Sequence, residues 1–223
     1  MTRNVFQRLG IKKKVLANDT GKYKPGEFGY WWTVEQGMPD IEGQVYRGGI
    51  YCSEKGLTSL RGAPREVGDY FGCSRNQLTS LEGAPRKVGD YFNCSFNKLT
   101  TLAGAPEKVG GDFDCLYNHL TTLEGAPEYV GGEFDCPGNQ LTSLKGAPRQ
   151  VGRSFNCEDN KLTSLEGAPE YVEYDFYCDG NQLTSLKGAP EYVGGIFNCE
   201  DNPDLKSLDG IGEVKGRIYS DIK

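Results

Sequence analysis

The 223-residue chain contains 31 Gly and 11 Pro beside 37% hydrophobic side chains, with 13 Tyr and 10 Phe. These proportions exclude a collagen-like or low-complexity chain and supply enough apolar material for a packed core. The net charge of −6 is uneven: residues 1–24 hold seven Lys/Arg against one Asp, so the acidic excess lies in the rest of the chain, which disfavours a general nucleic-acid binder.

Residues 1–44 read as an N-terminal cap. They combine a strand-like run, Lys12–Leu16, with a turn signal from Asn18 to Gly21 and the only two tryptophans, Trp31 and Trp32. The pattern predicts a hairpin or a helix plus a strand that closes the first edge of the fold. Arg3, Arg8, Lys12, Lys13 and Lys14 make this segment basic, suited to an acidic partner or to solvent. No signal-like hydrophobic stretch occupies residues 1–20 and no apolar run reaches the roughly 18 residues of a bilayer span, so the expected location is cytoplasmic and the expected partners exclude a membrane.

From residue 45 to 209 the sequence repeats. The eight cysteines fall at 52, 73, 94, 115, 136, 157, 178 and 199, each 21 residues after the last. Seven blocks between Leu57 and Pro203 share the wording Leu-Thr-Ser-Leu-x-Gly-Ala-Pro-x-x-Val-Gly-x-x-Phe-x-Cys-x-x-Asn-x. Self-similarity at this period predicts a solenoid, because one such unit cannot bury its own apolar face and gains a core only by stacking on its neighbours. Phe113 and Cys115 alternate with Asp112, Asp114 and Leu116, the period of two of a strand with one buried face. One strand per repeat, stacked in parallel, makes a mainly β solenoid. The Gly-Ala-Pro segments predict an extended return limb of polyproline type on the far side, since Pro fixes φ and removes a donor. Residues 210–223, degenerating through Val214, Ile218 and Ser220, read as a C-terminal capping strand.

The run Phe113-x-Cys115-x-x-Asn118-x-Leu120-x-x-Leu123 resembles the core of leucine-rich repeats, with Phe and Cys in two of the leucine places. The likeness recurs seven times in register over about residues 43–222 and looks like the short repeats of bacterial effectors and of proteins encoded by bacteria and their phages. It implies a right-handed superhelix, a ladder of asparagine hydrogen bonds, and binding of another protein through the concave sheet, as by an inhibitor or effector acting on a host protein.

Positions that do not vary between blocks belong to the fold. The Asn column from Asn76 to Asn202 is expected to bond the backbone of the turn, because a buried amide left unpaired costs about 1–3 kcal/mol. The Cys column is expected to fill a core slot as small hydrophobes, with disulfides between stacked strands as the alternative. A ladder of thiols does not converge on one point as a zinc site requires, so no metal is expected there. Glu158-Asp159-Asn160 and Glu200-Asp201-Asn202 offer oxygen ligands but lack the alternating spacing of a calcium loop.

Function is then left to outward positions. Tyr70, Tyr91, Phe96, Leu116 and Tyr117 form a candidate aromatic patch. Asp112, Asp114, Glu133, Asp135, Glu158, Asp159, Asp175, Asp179, Glu200 and Asp201, with Tyr177 among them, form an acidic strip. Like charges on neighbouring strands oppose folding and point to a cationic partner, a protein with a basic surface. A special case is mimicry of nucleic acid toward a nucleic-acid-binding protein. The competing reading is a structural or adhesive spacer whose acidic face keeps it soluble. An enzyme is not expected: the single His119 sits in a turn slot, Cys115 should face the core, and no phosphate-cradling motif or cofactor signature occurs.

Overall fold

A computed structural model describes residues 31–33 and 41–222. The chain is a parallel β-solenoid of about eight turns at the 21-residue spacing, without helix among the described residues. The expected hairpin, the Lys12–Leu16 run and the basic segment lie outside the described residues. Of the N-terminal cap, the strand Trp31–Thr33 is described, and it pairs in parallel with Gly49–Tyr51. Among the described residues no helix is long and apolar enough to cross a membrane.

Each turn begins with a strand of two or three residues, such as Phe113–Asp114, and these stack into a ten-stranded first sheet. The Phe column points inward and is fully buried from Phe71 to Phe197. Its rings stack 5.2–5.6 Å apart within 15° of parallel. Each ring gains about 1.5–3 kcal/mol from burial, available only when the next turn covers it. Cysteine comes next, buried and unpaired in all eight copies, and in seven of them the thiol donates to a backbone carbonyl of the next turn, as from Cys115 to Asp135 at 3.4 Å.

Past the cysteine the chain bends through a residue of positive φ, Tyr117 at 50° for example, which aims the adjoining Asn inward. Asn118 then joins two turns. Its Nδ2 donates to the carbonyls of Cys94, Cys115 and Leu116 at 3.2, 3.1 and 3.3 Å, and its Oδ1 accepts from the Leu99 amide at 3.1 Å. The same set repeats from Asn76 to Asn202. Two leucines then fill the core, and a tight turn closes with the Ala105 amide on the Leu102 carbonyl at 2.9 Å, Gly104 taking the left-handed position at φ 88° that a type II turn demands.

The return limb differs from the extended, polyproline-type stretch that the sequence suggests. After the buried proline, segments such as Lys108–Val109 form a second strand, and these make a nine-stranded second sheet. Turns packed one strand spacing apart would bury the amides of an unpaired limb; pairing satisfies them, as Gly110 N does on the Val88 carbonyl at 3.0 Å. Val faces the core and its predecessor faces solvent, so two residues suffice for the alternation. The C-terminal segment likewise contributes one strand to each sheet, Glu213–Val214 and Ile218–Tyr219.

Two consequences are measurable. Replacing Asn118 by Ala strands backbone groups of two turns and should lower stability by about 3 kcal/mol in a denaturant titration, whereas His119→Ala, in the exposed position beside it, should leave the midpoint unchanged. Burial pushes the thiols far up, Cys52 to about 12 and Cys199 to about 11. Cys199 is covered by a terminal turn whose Ile218 and Tyr219 are exposed, so mass spectrometry of the native protein under alkylation should find Cys199 modified first and Cys115 last.

Candidate functional site

The outward side of the first sheet consists of parallel files of side chains, because in-register pairing places equivalent residues on adjacent strands. Aromatic pairs result, beginning with Tyr51 and Tyr70 at 6.3 Å. Tyr70 and Tyr91 lie 5.2 Å apart, and Phe96 and Tyr117 stack at 4.9 Å. Tyr70 departs from the exposed role that the sequence suggests: it is 8% exposed, its ring lying over Gly72, where a Cβ would fall 1.9 Å from the Tyr70 hydroxyl. The Tyr91 hydroxyl donates to Asp114 Oδ2 and accepts from Asn93 Nδ2 at 2.7 Å, so its polar end is engaged within the sheet.

Phe96 and Tyr117 are instead 38% and 52% exposed. Both occupy the positive-φ position of the turn, at 55° and 50°, where Gly138 and Gly180 stand in later turns. A side chain there costs about 1–2 kcal/mol relative to glycine. The Arg75 guanidinium caps the pair, 4.4 Å from the Phe96 ring centre, and the Tyr117 ring extends over Gly138, where a Cβ would meet it at 2.5 Å. Leu116, half-buried, adjoins the pair. The sequence carried a signal for this strain, since Gly138 and Gly180 share a column with Glu54, Arg75, Phe96, Tyr117, Asp159 and Asp201.

The acidic strip divides into bonded and unbonded members. Asp112 accepts the Glu133 amide at 2.9 Å and Asp175 accepts the Ile196 amide at 2.7 Å, so both help join successive turns. Tyr177 donates to Asp175 at 3.0 Å. Asp114 and Asp135 face each other in register. Burial first, then the Asp135 charge, pushes Asp114 up to about 7, and burial followed by Glu133 pushes Asp135 up to about 6. Farther along, burial followed by Asp179 raises Glu158, and burial raises Asp179. Asp179 Oδ1 is buried without a hydrogen-bond partner, while Asp159 and Asp201 stand exposed and Glu200 is half-buried. Asp201 takes a bond through its backbone, its amide donating to Asp221 Oδ2 at 2.7 Å.

His119 is exposed, whereas the Cys115 thiol is buried, so the one histidine and its nearest cysteine face different surroundings. Among the described residues no group of three or more His, Cys, Asp or Glu side chains is arranged to hold a metal ion. No protein-family model matches the chain, and no curated protein resembles it at a significant level.

The Asp114–Asp135 pair has a definite pH signature. Carboxyls raised in the folded state bind protons more tightly there than in the unfolded chain, so their contribution is complete below about pH 4 and is lost as pH rises through about 6 to 7. The melting temperature should therefore fall between about pH 5 and pH 8 through this pair. Asp114→Asn should flatten that slope and raise stability at about pH 8 by about 1 kcal/mol, the scale of a like-charge pair on adjacent strands.

Proposed function

We propose that the protein is a non-enzymatic binding module of the leucine-rich-repeat kind, which holds a partner protein with a basic surface against its first sheet. The observation that carries this reading is the Phe96–Tyr117 stack, two exposed rings kept at a backbone position that favours glycine. Backbone strain persists where something other than stability retains it. Large planar side chains beside a charged rim are the usual anchors of protein interfaces. Here the rim is Glu133, Asp135, Glu158, Asp159, Asp179, Glu200 and Asp201, a field that attracts a cationic surface and orients its approach. A cytoplasmic setting suits eight unpaired thiols.

The test uses a substitution that the fold accommodates. Phe96→Gly/Tyr117→Gly removes the rings and relieves the positive-φ cost, so stability should stay within about 1 kcal/mol of the parent. In affinity purification, the parent should retain a specific protein at low salt and lose much of it at high salt, and the double variant should retain none. A parent chain that holds no protein at low salt would make the rigid spacer the better reading.

A further inference from the structure

The second sheet, on the other side of each turn, carries a concavity of its own. A groove of about 480 Å3 crosses its N-terminal half, from Val45 to Tyr129. Its floor includes Gly68, Gly89 and Gly110, each exposed. A Cβ on any of them would meet the backbone carbonyl of the preceding turn at 2.1–2.5 Å, so the close stacking of turns itself keeps this strip bare.

Three cations line the groove: Arg47, Lys87 and Lys108. Lys87 and Lys108 are partners in register on adjacent strands, an unfavourable like-charge pairing. None of the three forms an ion pair among the described residues. At several other positions the same spacing neutralises charge, as in Arg61–Glu82, Arg86–Glu107, Lys145–Glu124, Arg149–Glu170 and Lys187–Glu166, each joining residues 21 apart. Glu66, the carboxylate in the groove, is 3.2 Å from Arg65. Glu66 also stands in register beside Lys87, so three cations face a single carboxylate along this apolar trough.

We propose that this groove is a docking site for an extended acidic segment of a partner protein. Carboxylates of the segment meet Lys87, Lys108 and Arg47, and its apolar side chains lie between Val45 and Tyr129. From the turn of Val45 to that of Tyr129 is four strand spacings, roughly 19 Å, which an extended chain covers with about six residues. Alternate side chains of such a chain face the same way about 7 Å apart, so two neighbouring carboxylates reach the two lysines and one farther along reaches Arg47. The chain's own basic N-terminal segment has the wrong sign for this place. The site lies on a different sheet from the aromatic pair and stands apart from the function proposed for that face.

The probe is a fluorescein-labelled, acetylated hexapeptide of alternating glutamate and leucine, read by fluorescence polarisation with the full chain at low salt. Saturable binding is expected, weakened about tenfold by Lys87→Glu/Lys108→Glu, since reversing two exposed contacts amounts to about one decade in affinity. The control Lys98→Glu/Lys161→Glu changes net charge equally, away from the groove, and should shift affinity much less. Absence of binding, or equal losses in the two double variants, overturns the proposal. So does self-association of the free protein by sedimentation that only the groove variant abolishes, which would seat a second copy there. All four lysines are exposed, and matching melting temperatures separate lost binding from lost folding.

Discussion

The interaction on which the rest depends is the asparagine amide shared between turns. Asn118 reaches the carbonyls of both Cys94 and Cys115 and receives the amide of Leu99, so one side chain satisfies backbone groups of two successive turns where the chain leaves the sheet. To deliver that amide inward, the residue before it adopts positive φ in every turn from Arg75 to Asp201. The leucines, the buried phenylalanine rings and both sheets are set by the identical path that results. The stabilisation is local to neighbours, so the interior turns hold each other while the last turn, with Ile218 and Tyr219 exposed, has only one.

The same constraint sorts the surface. A turn that must repeat leaves certain columns free, and in those columns sequence variation is informative. Phe96 and Tyr117 sit at a positive-φ position that favours glycine, which two of the later turns supply at Gly138 and Gly180 while Asp159 and Asp201 fill it in others. The Asp114–Asp135 pair sits where register brings equivalent residues face to face, and burial with the neighbouring charge raises the Asp114 carboxyl. Asp112 and Asp175 show that acidity alone is no guide, because their oxygens accept amides of the next turn and so serve the coil itself.

Most of the fold was legible because it is periodic. The 21-residue recurrence of Cys, the alternation around Phe113 and the constancy of Asn each report a position that backbone geometry dictates, and all eight thiols are buried and unpaired. The second sheet was harder to read: its strands are two residues long and come after a proline, too short for alternation to register, and their pairing partners lie 21 residues away. Tyr70 was misjudged for a related reason. Its column faces outward, but Gly72 beside it leaves a hollow that the ring fills. Burial there depends on a neighbouring residue's absent side chain, a property of pairs that no single column reveals. The groove was invisible for the same reason, since Lys87 and Lys108 look like ordinary surface residues until register sets them side by side.

Charge order along the columns distinguishes surface that serves the coil from surface that does not. In the column running through Glu124, Lys145, Glu166 and Lys187 the sign alternates, and ion pairs join Glu124 to Lys145 and Glu166 to Lys187. Exposed pairs of this kind contribute well under about 1 kcal/mol each, yet their alternation removes the repulsion that repetition of one charge would build into that column. On the first sheet the rule fails, with Asp114 against Asp135, and on the second it fails with Lys87 against Lys108. A repeat of this length could place a neutral or opposite residue at either point without disturbing a core contact, because all four side chains face away from the core. Like charges meet elsewhere too, as Asp69 with Asp90 and Glu158 with Asp179; these two pairs carry opposite sign on separate sheets, and exposed rings or apolar side chains occur on each side, Phe96 and Tyr117 in the case of Asp114 and Asp135, Val45 and Tyr129 in that of Lys87 and Lys108. Neither pair adds to stability, and the two binding faces proposed above are where their charges would be used.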